Sequence, residues 1–300
     1  MFILDPFTAT FMVRALIGGL LVAVLCGVVG TWVVIRGMAF LGEAMAHGLL
    51  PGVATAALLG LPPVLGAAVS ATVMSAGVGF VTRRARLSAD VAIGLLYVAM
   101  LSLGVIIVSR SRSFATDLTA ILFGDVLAIG TDDLVFLAGA LALTLLLSAL
   151  FHRSFVALAF DPRVAHTLGL RPRLAQVVLV GLVTLVVVAS YQAVGSLLVV
   201  GLLLAPPVAA GYWARRIATT MALAAVFGGV AVVAGLLVSW HASTAAGASI
   251  AASAIALVVV SAAVRRAVRP SRRRTQVGHP TGAAQLPTPD SAPHRELLHS

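Results

Sequence analysis

No lysine occurs anywhere in these 300 residues; all 20 basic side chains are Arg. A G-x-x-x-x-G-K-[ST] phosphate-cradling loop therefore cannot be written, and the chain is not itself a P-loop ATPase. Any nucleotide energy must come from a partner. Charge of either sign is scarce: 10% of residues are charged, against about 25% in soluble domains. With 60% hydrophobic residues, that balance places the chain in a bilayer. Cysteine is nearly missing, and the single Cys26 excludes an intrachain disulfide and any Cys-rich zinc or iron–sulfur site. Aromatics make up 6%, and none interleave with a basic face able to read bases. A formal charge of +10 therefore does not point to nucleic acid. The Arg residues gather in the tail from Arg265 and at the ends of apolar runs, as cytoplasmic membrane flanks do.

What is abundant is apolar sequence in lengths of about 20 residues, the length a spanning helix needs. Such runs cover 11–35, 38–60, 62–82, 91–109, 132–151, 174–190, 191–213, 218–239 and 246–264, the two between 174 and 213 being readable as one broken helix plus a short one. The expected fold is an all-α integral membrane protein, a polytopic bundle of about eight or nine transmembrane helices. The first run continues past Trp32 to Arg36 without a cleavage site and is taken as a mature span after a short N-terminal segment, 1–10. Arg83, Arg84 and Arg86, then Arg153, Arg163, Arg171 and Arg173, then Arg215 and Arg216, and finally the tail, all belong on the cytoplasmic side. That places the N-terminus and the 110–131 loop outside, with Arg14, Arg110 and Arg112 on the outer side against the rule. The domain reading is a permease domain over 11–264 and a disordered basic cytoplasmic tail over 265–300. Frequent Gly and Ala within the runs are read as close helix packing in lipid.

Within the apolar runs one acidic residue stands away from the flanks, Glu43, together with one His, His47. Four residues apart on a helix, they share a face, amid the small residues of Gly42-Glu43-Ala44-Met45-Ala46-His47-Gly48. Counted from Arg36, His47 lies about 16 Å into a hydrocarbon core about 30 Å thick. Ionisable groups at that depth are costly and are kept mainly at a cavity, a partner or a substrate path. A carboxylate and an imidazole suit zinc, manganese or ferrous iron. Two donors do not complete a coordination shell, but a second copy meeting the first at this helix would double them. The bland alternative is that the pair merely satisfies itself or neighbouring helices. Pro51-Gly52 should weaken the helix just beyond, as at many transport sites.

The stretch 152–173 reads as a cytoplasmic loop with its own short helix. Asp161 and Pro162 open it, Val164 to Leu168 continue it past His166, and Gly169 with Pro172 end it. Outside, Asp117 and Asp125 in the 110–131 loop and His241 beside Trp240 are candidate cation-attracting residues at an entrance.

Several stretches in order resemble the metal-ion (zinc/manganese/iron) class of ABC transporter permeases. They are Arg36-Gly37-Met38-Ala39-Phe40-Leu41-Gly42-Glu43 with His47-Gly48-Leu49-Leu50-Pro51-Gly52, then Leu122-Phe123-Gly124-Asp125, then Phe160-Asp161-Pro162 through Leu168-Gly169-Leu170. Gln192-Ala193-Val194-Gly195 and Leu203-Leu204-Ala205-Pro206-Pro207 complete the set. The resemblance implies the permease subunit of an importer, not an enzyme. Two permease copies would pair with cytoplasmic ATP-binding subunits and receive a divalent metal, zinc foremost or else manganese or iron, from an extracytoplasmic binding protein. It implies that Glu43 and His47 line the path, where many members have Asp in place of Glu43. It also implies that Asp161, Pro162, Arg163, Leu168 and Gly169 form the coupling element seated on the ATPase. The metal is cargo, with no permanently bound cofactor, and the location is the bacterial cytoplasmic membrane.

A secondary transporter using Glu43 and His47 as a proton relay is the alternative and needs no ATPase. An intramembrane metalloprotease would want His-Glu-x-x-His on one helix, and this chain has Glu-x-x-x-His.

Overall fold

A computed structural model describes residues 9–84, 88–109, 124–160 and 172–268. Among the described residues there are eleven α-helices and no strand. In chain order they are α1 (Thr10–Ile35), α2 (Ala39–Gly48), α3 (Leu50–Leu58), α4 (Pro63–Arg84), α5 (Ala89–Val108) and α6 (Thr131–Leu150). There follow α7 (His152–Phe160), α8 (Pro172–Val194), α9 (Ser196–Gly211), α10 (Ile217–Ala242) and α11 (Ala246–Val268). Seven of them, α1, α4, α5, α6, α8, α10 and α11, are long and apolar enough to cross a membrane. Those seven, the consecutive α2 and α3, and the 16-residue α9 correspond one for one to the nine apolar runs.

Three boundaries depart from the sequence reading, each for a local reason. The run 38–60 is two helices, not one, because Pro51 enters at the start of α3 and has no N–H to continue the ladder from α2. The break between the sixth and seventh runs falls at Gly195, whose φ of 76° no helical residue adopts, so α8 keeps Tyr191 to Val194. Residues 152–160, expected as the start of a loop, form α7 instead. Its Phe155 and Leu158 are buried, and that apolar face fixes the helix against the bundle.

Helix α1 is the central element, packed on α6, α8, α9 and α10. Trp32, near its C-terminus, is fully buried and meets His152 and Phe155 of α7 edge-on, at ring-centroid distances of 5.6 and 5.3 Å. Outward faces carry Leu95, Val98 and Ile106 on α5 and Val226 and Val230 on α10, all exposed, as lipid contact requires. The other ends are tied more locally. Ser88 caps α5 by accepting the Val91 N–H, and the Asp133 carboxylate at the start of α6 accepts the Gly130 N–H at 3.0 Å.

Gly37 ends α1 and turns the chain into α2. Its φ is 65°, the Gly37 N–H donates to Val34 O at 3.1 Å, and the Met38 N–H reaches back to Val33 O at 2.9 Å. This is the paired bonding of a Schellman terminator. A Cβ at Gly37 would touch nothing within 4 Å, so the demand for Gly is conformational alone. Gly37→Ala is expected to destabilise the folded protein by about 1–2 kcal/mol. A thermal-melt comparison in detergent, with Gly79→Ala as a control in open space, checks it.

Candidate metal site

The turn at Gly37 aims α2 inward between α5 and α9, with α8 and α4 also against it. Leu41, Gly42, Ala44, Met45 and Ala46 are buried, and the small ones allow the close approach; Gly42, for example, faces the Leu203 side chain of α9. Glu43 and His47 occupy the one face of α2 that is only half-buried. The His47 Nε2–H donates to Glu43 Oε1 at 3.0 Å, and the side chains are 19% and 37% exposed respectively. The pair therefore satisfies itself while remaining reachable from beyond this chain. Both donor atoms can serve a cation once the shared proton leaves.

Tyr97 of α5 is the neighbour that sequence reasoning missed. Its ring lies 5.8 Å from the His47 imidazole at an interplanar angle of 70°, and 5.9 Å from Phe40, so it fixes the plane of the imidazole from the side. The available signal was that Tyr97 is one of only three Tyr in the chain and sits inside an apolar run. Polar side chains then line the adjoining walls. Ser70 of α4 donates to Gly48 O at 2.7 Å, satisfying a carbonyl left over at the end of α2. Ser75 of α4 and Thr184 of α8 stand 3.0 Å apart, with Met45 Sδ 3.9 Å from the Ser75 hydroxyl.

The other candidates stand apart from this pair. His241 is exposed, its Nδ1–H donating to Leu237 O of its own helix at 2.8 Å, and Asp125 is exposed before the short 3₁₀ turn Val126–Ala128. Cys26 is buried against the Val199 carbonyl of α9 and behaves as a small apolar residue. Asp117, and the loop residues Asp161, Pro162, Arg163, His166, Leu168 and Gly169, lie outside the described residues, as does the tail from Arg269. Among the described residues no three His, Cys, Asp or Glu come close enough together to hold a metal. Two of the stretches that carried the resemblance do meet in space. The backbone of Gly124, with φ 63°, lies so close to Val194 and Gly195 at the α8–α9 break that a Cβ there would collide with main-chain atoms.

Residues 8–265 match the ABC 3 transport family. The chain belongs to the ABC 3 transport family. It is 36% identical over 241 residues to the manganese transport system membrane protein MntC of Halalkalibacterium halodurans, covering 80% of this chain and 82% of that one. It is 33% identical over 245 residues to the chelated iron transport system membrane protein YfeD of Yersinia pestis, covering 81% and 82%. Among solved structures it resembles PsaBC from Streptococcus pneumoniae in complex with Fab, with a TM-score of 0.78 and 33% identity, covering 87% of this chain and 94% of that one. The all-α architecture expected from the sequence is thus that of an ABC-type permease. As an ABC 3 family permease, the chain is a multi-pass protein of the bacterial cytoplasmic membrane and a transport component, not itself an enzyme.

Proposed function

We propose that this chain is the permease subunit of an importer for a divalent transition metal ion, and that Glu43 and His47 are its ligands along the path. The observation that carries the reading is their separation. Metal–nitrogen and metal–oxygen bonds of about 2.0–2.2 Å place two adjacent ligands about 2.9–3.4 Å apart, and Nε2 and Oε1 stand 3.0 Å apart. A cation can take the place of the shared proton with little movement of either side chain. The partial exposure of both leaves room for further ligands, and a second permease copy contributing its own pair is the proposed source. Manganese and iron are favoured as cargo by what the relatives' names say of those proteins, while the donor set itself accepts zinc equally well.

The rest of the machine follows from the same reading. The permease domain is 11–264, with 265–300 as a basic cytoplasmic tail whose first four residues, expected to be disordered, instead complete α11. A separate ATP-binding subunit seats on 152–173, using Asp161, Pro162, Arg163, Leu168 and Gly169. An extracytoplasmic binding protein delivers metal to an entrance near Asp117, Asp125 and His241. The test is uptake of Mn²⁺, Fe²⁺ and Zn²⁺ into vesicles holding the permease with its ATPase. Uptake should require ATP, and Asp161→Ala combined with Gly169→Val should cut it at least about tenfold while leaving the permease in the membrane, since the changes remove the cap and the terminator that the sequence predicts for a helix there. Uptake that runs on a proton gradient without ATP would instead establish the Glu43–His47 proton relay of a secondary transporter.

A further inference from the structure

Arg36 is the last residue before the turn into α2, and its guanidinium joins two other helices to that turn. One Nη donates to the Leu158 carbonyl in the last turn of α7, and Nη2 donates to Gln176 Oε1 of α8 at 2.7 Å. Gln176 in turn has its amide nitrogen 3.9 Å from Met38 Sδ, on the residue that opens α2. Leu158 lies two residues before the end of α7, where a helix carbonyl has no partner of its own, so the guanidinium serves as its cap. The two helices thus held are the ones that immediately precede and follow residues 161–171. Between Arg36 and Met38 stands Gly37, in open space and in a left-handed conformation, a swivel between the anchored end of α1 and α2.

We propose that Arg36 is the positioning residue that couples the ATPase-docking segment to the metal-bearing helix. A shift of α7 and α8 toward or away from each other pulls on one guanidinium, and that pull is delivered three residues before Ala39 opens α2, whose Glu43 and His47 face the ion. The fork geometry of Arg suits the task, because separate nitrogens serve the two helices at once, which a single ammonium does less well. The inference rests on the importer reading and on the docking role of 161–171, and it adds a route between that segment and the site.

The experiment uses the full-length permease assembled with its ATPase and binding protein in vesicles, with Mn²⁺ and Fe²⁺ as probes. Assembly, ATP hydrolysis and metal accumulated per ATP are read for Arg36→Met, Arg36→Lys, Gln176→Leu and the Arg36→Met/Gln176→Leu pair. The expected result is an assembled complex that hydrolyses ATP while metal per ATP falls about tenfold or more in Arg36→Met and Gln176→Leu. Arg36→Lys should lie between these and the unaltered complex, and the pair should be no worse than either single change. A merely structural Arg36 would instead lower assembly and leave the ratio alone. Metal per ATP within about twofold of normal in Arg36→Met overturns the proposal. If that variant does not assemble, a normal ratio in both Arg36→Lys and Gln176→Leu overturns it equally. An unaltered complex that accumulates neither metal sinks the importer reading and this proposal together, whereas normal coupling in the unaltered and altered complexes alike sinks this proposal alone.

Discussion

Permeases carrying Glu43→Gln or His47→Ala are expected to reach the membrane in normal amounts and to take up no metal. The first change keeps the size of the side chain and its capacity to accept a hydrogen bond from His47, but removes the charge that draws a cation. The second removes the nitrogen donor while leaving α2 helical, Ala being the best helix former. If the pair only satisfied itself, His47→Ala would act on folding, since it leaves the Glu43 carboxylate without its partner, at a cost of up to about 1–3 kcal/mol for a buried polar group. Glu43→Gln, which still accepts the bond, would then leave both folding and uptake near normal. The two outcomes separate on membrane expression against uptake: lost uptake at normal expression marks a ligand, and lost expression marks a structural pair. Acidification acts in the same direction as the substitutions. A metal needs the carboxylate ionised and the imidazole neutral, so protons compete at both donors and uptake should weaken as pH falls. Normal uptake by well-expressed His47→Ala protein would end the claim that this helix carries the ion.

Gly52→Val is expected to reduce folded permease in the membrane several-fold. Helices α3 and α4 touch through their backbones here: a Cβ on Gly52 would collide with the Gly66 carbonyl, and one on Gly66 would collide with the carbonyl of Gly52. Main-chain atoms cannot turn aside as a side chain can, so the helices must part, at a cost in the range of about 1–3 kcal/mol or more for overpacking. Because α3 follows α2 with only Leu49 between, parting them also displaces the end of the helix that bears His47. Pulse-labelled membrane fractions with and without the substitution check the effect. Gly139→Ala and Gly181→Ala, where an added Cβ meets nothing within 4 Å, should change folded amounts little. Normal amounts of Gly52→Val protein would mean that α3 and α4 do not pack backbone to backbone.

How much of this was legible beforehand differs element by element. The Glu43–His47 pair could be read because ionisable groups at membrane depth are rare enough to be informative one at a time. Tyr97 could not, since a tyrosine in an apolar helix reads equally well as packing or as an interfacial anchor, and only the fold brings it to His47. The division of α2 from α3 was foreshadowed by Pro51-Gly52, whereas the break at Gly195 follows from a positive φ that no neighbouring residue announces. Helix α7 was missed because His152 and Arg153 look like the start of a loop. The burial that makes it a helix comes from Trp32, well over a hundred residues earlier in the chain. Arg36 was read as a flank charge, and its bonds to α7 and α8 are long-range contacts that hydropathy does not encode.

The seat of Trp32 also gives the protein an internal optical gauge. Of its three tryptophans, Trp213 and Trp240 are exposed, while Trp32 is fully buried between α1 and α7 with His152 against its ring. With the exposed two replaced by Phe, the remaining emission comes from a dry environment whose wall is α7 itself. Any separation of α7 from α1 during a transport cycle would admit water or withdraw the imidazole, shifting the colour or intensity of that light. The chain thus carries a native fluorophore beside the helix that leads into the proposed docking segment, with no label to attach.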